Sequence, residues 1–366
     1  MVADSSDYRQ LFIEDTPLLD VRAPVEFIKG AFPNVTNIPL LDDQQREIIG
    51  KRYKDAGQDE AIRLGLELAT DEIRAQRLDA WRSFCVANPE GFLYCFRGGL
   101  RSRTAQQWLC QQGIDYPLVQ GGFKAMRRFL IDQLEASARS LRLVCVSGLT
   151  GVGKTRVLKQ TRHHVDLEGL ANHRGSAFGR DASDVQPAVI DWENRISIEL
   201  LKHRHAFPER PLLVEDEGRR IGRIGVPDCL YELMLRAPRA ILTVATDTRI
   251  KLISDDYIVN AWPQFQRMYG VSAETEFSRY VLDNLARIQK RLGAERYQQV
   301  HSSFETGLGN FFACGDVCTF NAGIRILLEQ YYDPMYRYQI ERKKPEILFE
   351  GPESEFLQWA EVYCAD

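Results

Sequence analysis

Short apolar runs alternate with amphipathic stretches along most of the chain. Apolar runs bounded by Gly, Pro or Asn predict β-strands, whereas apolar residues that recur every three or four positions predict helices. This alternation is typical of α/β proteins with parallel sheets. The predicted strands are residues 18–21, 36–40, 91–96, 117–120, 141–147, 165–167, 211–214 and 240–245.

Helical periodicity fills the segments between these strands and dominates beyond about Asp256. The predicted helices are residues 42–88, 102–111, 123–137, 274–292 and 322–332. We place a domain boundary at the end of the helix at 123–137. The expected architecture is an α/β domain at 1–138, followed at 139–366 by a parallel-sheet domain whose C-terminal part is mostly helical.

Composition and charge narrow the classes of function. The 366 residues suffice for two domains of about 150 residues each. Lys and Arg (47) nearly balance Asp and Glu (51), so the chain lacks the basic surface of a general nucleic-acid coat and would hold any nucleic acid by a local patch. No run approaches the roughly 20 apolar residues of a membrane span, and the first residues lack a secretory pattern. We expect a cytoplasmic protein without a membrane partner.

A phosphate-binding motif follows the predicted strand at 141–147. Residues 148–155 read GLTGVGKT, which matches G-x-x-x-x-G-K-[ST] between a strand and a helix. Glycines at such positions let backbone N–H groups surround phosphate oxygens, and the helix N-terminus adds positive potential. The predicted phosphate-binding residues are Gly148, Gly151, Gly153, Lys154 and Thr155, of which Thr155 is a candidate ligand for Mg²⁺.

Two further clusters contain residue types that can bind metal ions. Glu215, Asp216 and Glu217 follow an apolar strand, and either metal binding or a solvated strand end explains them. Cys314 and Cys318 lack a second Cys or His pair at zinc spacing, so we expect no zinc and no other metal site at these cysteines. The eight cysteines are too sparse for a disulfide scaffold.

One cysteine lies in a setting that suggests chemistry. The loop and helix start read Cys95-Phe96-Arg97-Gly98-Gly99-Leu100-Arg101-Ser102. Cysteines in electropositive loops of this kind become nucleophilic, and loop N–H groups with an arginine also bind tetrahedral anions. Cys95 is therefore the candidate nucleophile, with Arg97 and Arg101 as its catalytic partners and Gly98, Gly99 and Ser102 as the anion loop. The spacing leaves attack on sulfur, selenium or phosphorus open.

The first domain resembles the rhodanese family. The residues that carry the likeness are Leu19-Asp20-Val21-Arg22, Glu26-Phe27, Gly30-Ala31, Asn37-Ile38-Pro39 and the Cys95 loop, in that order. The resemblance implies a structural role for Asp20 and Arg22 and a covalent sulfur or selenium carrier at Cys95. The C-x₅-R spacing is one residue longer than in simple sulfurtransferases and is shared with protein phosphatases.

A rhodanese-like domain fused to a P-loop domain resembles the tRNA 2-selenouridine synthase family over nearly the whole chain. Further agreement lies at 114–122, 165–179 and 331–338. The resemblance implies a transferase that replaces sulfur by selenium at C2 of the tRNA wobble 2-thiouridine through S-geranyl-2-thiouridine. It implies geranyl diphosphate and selenophosphate as co-substrates, with Cys95 forming S-selanylcysteine.

The tRNA contacts predicted from the sequence lie in two segments. His173, Arg174 and Ser176 follow a strand of the P-loop domain, where open α/β sheets bind ligands. Tyr336 and Arg337 belong to an aromatic and basic segment of the kind that stacks on unpaired bases. Packing of the tyrosines within a helix explains that segment equally well. We expect a monomer that binds tRNA.

Two other functions fit the same motifs. One is a rhodanese-like C-x₅-R phosphatase fused to a nucleotide-binding P-loop domain. The other is a non-catalytic RNA-binding module in which both loops only sense anions.

Overall fold

A computed structural model describes residues 3–173 and 185–365. Its strands are β1 (Leu18–Asp20), β2 (Val35–Asn37), β3 (Phe92–Tyr94), β4 (Leu143–Gly148), β5 (His164–Val165), β6 (Leu212–Glu215), β7 (Arg220–Ile221), β8 (Ile224–Gly225), β9 (Arg239–Leu242) and β10 (Ile347–Gly351).

The α-helices are α1 (Tyr8–Ile13), α2 (Pro24–Ile28), α3 (Asp43–Leu68), α4 (Asp71–Ala87), α5 (Leu100–Gln111), α6 (Gly122–Ser140), α7 (Lys154–Leu158), α8 (Leu167–Leu170), α9 (Val189–Ala206), α10 (Asp228–Arg236), α11 (Thr246–Ser254), α12 (Trp262–Tyr269), α13 (Ala273–Leu292), α14 (Ala294–Cys314), α15 (Asn321–Leu327), α16 (Asp333–Lys343) and α17 (Glu353–Ala365). Short π-helical turns span Asp255–Val259 and Leu328–Tyr332, and 3₁₀ turns span Gly270–Ser272 and Cys318–Phe320.

The chain divides into two compact units, with one segment placed differently from the predicted domains. Met1–Ser137 and Ala188–Ala206 form the first unit, and Ala138–Pro187 and Phe207–Asp366 form the second. Helix α9 therefore belongs to the first unit, although it lies within the predicted domain 139–366. Its Ile198 and Leu201 are buried in one core cluster with Leu11, Phe12 and Leu130.

The first unit is built on a three-stranded parallel sheet in the order β2-β1-β3. Leu18 of β1 lies opposite Val35 on one side and Phe92 on the other. The predicted strand at 117–120 is reduced to isolated parallel bridges, Leu93 with Leu118 and Ser5 with Val119. The parallel α/β architecture predicted from the sequence is confirmed for this unit.

The second unit contains a five-stranded sheet in the order β10-β9-β4-β6-β5, in which every pairing is parallel. The carboxyl ends of parallel strands lie along one edge, where open α/β sheets place their ligand loops. The central strand β4 is buried throughout, and its neighbour β6 enters the acidic run there. The sequence analysis did not identify β10, because its apolar run is only three residues long, Ile347 to Phe349, and only its last residue is buried.

The C-terminal helices of the second unit enclose their own core, as the helical periodicity predicted. Phe277, Leu285, Val300 and Phe320 have no exposed side-chain surface and pack in one cluster with residues of α11 and α15. No described helix is both long and apolar enough to cross a membrane.

A buried ion pair secures the end of β1 in the first unit. Asp20 and Arg22 are 0% and 1% exposed, and Arg22 Nε donates to Asp20 Oδ2 at 2.8 Å. Arg22 Nη2 also donates to the Gly30 carbonyl at 2.8 Å, and the guanidinium lies 3.9 Å from the Phe123 ring centroid. These contacts give Asp20 and Arg22 the structural role expected from the sequence.

We predict that Arg22→Met lowers the free energy of unfolding by about 3–5 kcal/mol, because Asp20 would keep a buried charge without its partner. The double variant Asp20→Asn/Arg22→Met should recover part of this loss. Urea denaturation followed by circular dichroism measures both. Arg63→Met breaks an exposed pair with Glu60 and is the control. An Arg22→Met variant as stable as this control would contradict the interpretation.

Candidate active sites

Cys95 lies directly after β3, in the loop that leads into α5. The loop is fixed by the start of α6, because Phe123 N donates to the Cys95 carbonyl and Lys124 N donates to the Phe96 carbonyl, both at 2.9 Å. These are among the first amides of α6, which have no partner within their own helix. Since peptide groups are planar and trans, the amides of Phe96 and Arg97 point away from α6. These two amides are therefore placed to donate hydrogen bonds to an anion.

Two glycines allow the backbone of this loop to approach the turn before α6. Gly98 and Gly122 have φ values of +61° and +57°, in the left-handed region. A Cβ atom on Gly98 would lie 2.7 Å from Gly121 N, and one on Gly122 would collide with the Cys95 carbonyl oxygen. Gly99 has no neighbouring atom within 4 Å of such a position and no positive φ. Glycine is thus required at 98 and 122 but not at 99.

The Cys95 thiol is in contact with the first turn of α5. Its side chain is 3% exposed, and Sγ lies 3.3 Å from Ser102 Oγ. Ser102 Oγ also donates to the Gly99 carbonyl at 3.0 Å. A hydroxyl can rotate between acceptors, so Ser102 can accept from the thiol or donate to a thiolate. Ser102 is therefore placed to stabilise either form of Cys95.

The two predicted arginines have different surroundings. Arg101 pairs with both carboxylate oxygens of Glu26, at 3.1 Å for Nη2 to Oε1, and Arg46 Nε lies 3.2 Å from the same carboxylate. Burial opposes the shift, but these pairings lower the pKa of Glu26 overall. Burial likewise opposes the raised pKa of Arg101, which Glu26 and then Cys95 produce. Arg97 is exposed, with its guanidinium 5.8 Å from the Phe96 ring centroid.

Glu26 of α2 is a candidate functional residue beside this loop that the sequence analysis did not identify as such. It was noted only as part of a signature, because nothing in the local pattern pairs it with an arginine so distant along the chain. In the structure Glu26 fixes the orientation of Arg101 beside the Cys95 loop. The pairing with Glu26 therefore keeps the positive charge of Arg101 at a fixed position beside the Cys95 loop.

The phosphate motif lies between β4 and α7, as predicted. Gly148, Gly151 and Gly153 have φ values of +148°, +82° and +77°. A Cβ atom on Gly151 would lie 2.6 Å from Ile253 Cδ1, so this glycine also permits close packing of α11 over the loop. The loop conformation matches the one that turns backbone N–H groups towards an anion.

A buried arginine, Arg249, donates a hydrogen bond to the backbone of the phosphate loop, and the sequence analysis did not predict this contact. Arg249 Nε donates to the Thr150 carbonyl at 2.9 Å. The same guanidinium makes two hydrogen bonds to Asp333, at 2.9 and 2.6 Å, and is 1% exposed. This pair joins α11 and α16 to the loop through contacts that are distant along the chain.

Carboxylates surround Lys154 and Thr155. Thr155 Oγ1 donates to Glu168 Oε2 at 3.1 Å. Burial, then the charge of Glu168, raises the pKa of Glu217 well above its usual value, and Lys154 opposes this shift. Glu168 is a second residue to which sequence reasoning assigned no chemistry. Two carboxylates and a hydroxyl thus converge beside the lysine.

The three acidic residues at the end of β6 have two different roles: two make structural contacts, and the third lines a cavity. Glu215 is fully buried and accepts from Leu167 N at 3.0 Å, and Asp216 pairs with Ser147 and with Arg239. Of the three acids, Glu217 lines the cavity described next. Within 3–173 and 185–365, no group of three or more His, Cys, Asp or Glu side chains is arranged to hold a metal ion.

A cavity of about 590 Å³ opens beside the phosphate loop, within the second unit. Its volume is typical of small-molecule sites. The polar wall comes from the loop, α7, α8 and the ends of neighbouring strands, and includes Gly151, Gly153, Lys154, Thr155, Lys159, Glu168, His173 and Glu217. The C-terminal helices and turns supply an apolar wall of Ile253, Ile258, Phe304, Ile324, Leu327 and Leu328, together with Asp256, Tyr257, Gln264 and Tyr332. The cavity can therefore accept a ligand that joins an anionic group to a hydrocarbon chain.

The residues predicted to contact tRNA have separate surroundings. His173 lines the cavity, whereas Arg174 and Ser176 lie outside the described residues. Tyr336 lies beside Ser147 at the base of the phosphate loop; burial raises the pKa of its phenol, an effect that Ser147 opposes. This partly buried position fits the packing of tyrosines that the sequence analysis left equally open, and contact of Tyr336 with a base stays a prediction. Arg337 is exposed on α16.

Comparison with known proteins gives matches over nearly the full length. The family described as the tRNA 2-selenouridine synthase AAA domain matches residues 141–365. A tRNA 2-selenouridine synthase of Marinobacter nauticus is 48% identical over 358 residues, covering 98% of this chain and 97% of that protein. One of Pseudomonas syringae pv. syringae is 46% identical over 360 residues, with 98% of each chain covered.

A solved N-terminal domain of an ATP/GTP binding protein from Clostridium difficile is also similar. It is 27% identical and covers 32% of this chain and 89% of that chain, with a TM-score of 0.30.

The glycine requirement of the Cys95 loop gives a matched pair of variants. We predict that Gly98→Ala lowers the free energy of unfolding by about 1–3 kcal/mol, because Ala disfavours the positive φ and its Cβ meets the Gly121 backbone. Gly99→Ala should change stability far less. Chemical denaturation of both variants tests this, and equal losses would show that the close approach of loop and turn does not constrain residue 98.

Proposed function

The chain belongs to the tRNA 2-selenouridine synthase family, and we propose that it is the transferase that converts 2-thiouridine at the tRNA wobble position to 2-selenouridine. The observation that carries this proposal is a phosphate loop that borders a cavity with both a polar and an apolar wall, in a chain that also bears a cysteine anion loop. One loop would serve each half of a reaction with two steps.

The first step is geranylation of the thiouridine sulfur in the cavity of the second unit. The diphosphate of geranyl diphosphate would lie on the loop amides and Lys154, and the geranyl chain would lie along the apolar wall. The sulfur attacks C1 of the geranyl group, the C1–O bond breaks, and diphosphate leaves with the electron pair. The loop then binds the leaving group, and the step requires no nucleotide.

Magnesium fits the oxygen atoms beside the loop. Mg²⁺ binds through one or two carboxylates, retained waters and phosphate oxygens. Thr155, Glu168 and Glu217 supply a hydroxyl and two carboxylates of this kind. When bound, the ion would neutralise charge on the departing diphosphate, while Lys154 provides a fixed positive charge at the same loop.

The second step belongs to the Cys95 loop of the first unit. Selenophosphate is a tetrahedral anion, which the outward amides of Phe96 and Arg97 and the fixed charge of Arg101 are suited to hold. Cys95 is the nucleophile of this step: its thiolate attacks phosphorus, the Se–P bond breaks, and selenide leaves with the electron pair. The selenide then forms the new bond to C2 of the uridine while the C2–S bond breaks with release of geranylthiolate, and water cleaves the S–P bond to free Cys95 and phosphate. An alkylated sulfur leaves more readily than a thiocarbonyl sulfur.

Transfer RNA is the macromolecular substrate in this proposal, and the protein acts as a cytoplasmic monomer. His173 in the cavity wall and the exposed Arg337 are the described candidates for contact with it, and Arg174 and Ser176 remain candidates from the sequence. The wobble base has to leave its stack to reach either site, as in other enzymes that act on a base.

The C-x₅-R spacing and the contact between Cys95 and Ser102 also suit a phosphatase. Phosphate release from a phosphotyrosine mimic measures this second activity. We expect none above that of a Cys95→Ala variant.

Separate substitutions should divide the two steps. Lys154→Ala should reduce formation of S-geranyl-2-thiouridine by on the order of 10²-fold, because one preorganised charge on the leaving group is lost. It should still convert geranylated tRNA to 2-selenouridine. Cys95→Ala should show the reverse pattern, geranylating normally without incorporating selenium. Nucleoside analysis by mass spectrometry measures both products.

Cys110→Ala is the matched control, since Cys110 is an exposed cysteine of the same unit. It should leave both steps unchanged. Loss of both steps in each of the Lys154 and Cys95 variants would contradict the assignment of one step to each loop.

A further inference from the structure

The apolar wall of the cavity poses a question about chain length. A hydrocarbon chain gains affinity with each further methylene that it buries. An apolar cavity without an end would therefore favour longer prenyl chains over shorter ones. Selection for one length requires a side chain that stops the hydrocarbon at a fixed distance from the phosphate loop.

Ile253 marks the end of the apolar wall that lies nearest the phosphate. Its Cδ1 lies 2.6 Å from the position of a Cβ atom on Gly151. The other apolar lining residues come from the helices beyond α11, and Phe304 of α14 is the largest of those that are fully buried, with 4% exposure. Phe304 contacts Gly323, which precedes Asp333 by ten residues of continuous helical turns, or about 15 Å, and Asp333 is the residue that Arg249 joins to the phosphate loop.

The Phe304 ring cannot retreat from the cavity. A Cβ atom on Gly323 of α15 would lie 2.8 Å from Phe304 Cε1, so the ring is in contact with the helix backbone at that glycine. The Phe320 ring packs against it edge-on, with centroids 5.7 Å apart. Because these neighbours are themselves part of the helical core, pressure from a longer chain would meet a rigid surface.

We propose that Phe304, held in place by Gly323, closes the prenyl end of the cavity and selects the geranyl chain over longer prenyl chains. The inference rests on the proposed prenyl transfer and adds a specificity-determining residue to it. The transfer itself is unchanged by chain length, because the sulfur–C1 bond forms and the C1–O bond breaks in each case.

The test compares kcat/KM for dimethylallyl, geranyl and farnesyl diphosphate, with 2-thiouridine tRNA as acceptor and nucleoside mass spectrometry as readout. Phe304→Ala and the milder Phe304→Leu should raise the farnesyl to geranyl ratio by about 10-fold or more. Gly323→Ala should move the ring into the cavity and raise the dimethylallyl to geranyl ratio. Phe311→Leu, on the same helix but away from the cavity lining, should leave both ratios unchanged.

Outcomes for the two proposals are distinct. A wild-type protein that transfers none of the three prenyl groups would overturn the proposed function itself. A wild-type protein that geranylates, with Phe304 variants whose ratios equal those of Phe311→Leu, would overturn only the role of Phe304. Equal loss of activity towards all three diphosphates in the Phe304 variants also counts against it, since a chain stop must change the ratio.

Discussion

Both candidate sites depend on hydrogen bonding by backbone amides that have no partner within their own helix or strand. In the second unit, β4 leads into a loop with three glycines of positive φ, a conformation typical of loops whose backbone N–H groups bind an anion. In the first unit, the amides of α6 take the carbonyl groups of the Cys95 loop, so that the loop amides face the other way. Parallel strands supply the edge at which such loops can form.

The side chains around the two loops differ, and they suit each loop to a different chemical step. Cys95 has a hydroxyl partner in Ser102 and an arginine fixed by Glu26, which suits nucleophilic attack on a small anion. The phosphate loop has a lysine, two carboxylates and an apolar cavity beside it, which suits a ligand with a charged leaving group and a hydrocarbon chain. The division of labour that we propose for the two loops is based on these surroundings rather than on the loops themselves.

Sequence patterns predicted the parts of the molecule that are local. The phosphate loop, the strands on either side of it and the position of Cys95 depend on residues close in the chain, and their outlines appear in the structure where they were expected. Long-range contacts escaped prediction. The pairing of Arg101 with Glu26, the support of Thr150 by Arg249 and Asp333, and the place of α9 in the first unit all join distant segments. The apolar cavity wall could not be predicted for the same reason. Its residues have the sequence pattern of ordinary helix core, and only the placement of the helices around the loop shows that they line a cavity.

A time course of tRNA nucleosides tests the central claim most directly. Thiolated tRNA is incubated with the full-length protein and geranyl diphosphate, and selenophosphate is added later. We predict that S-geranyl-2-thiouridine accumulates first and then decays as 2-selenouridine rises. Formation of 2-selenouridine at the same rate without geranyl diphosphate would contradict it.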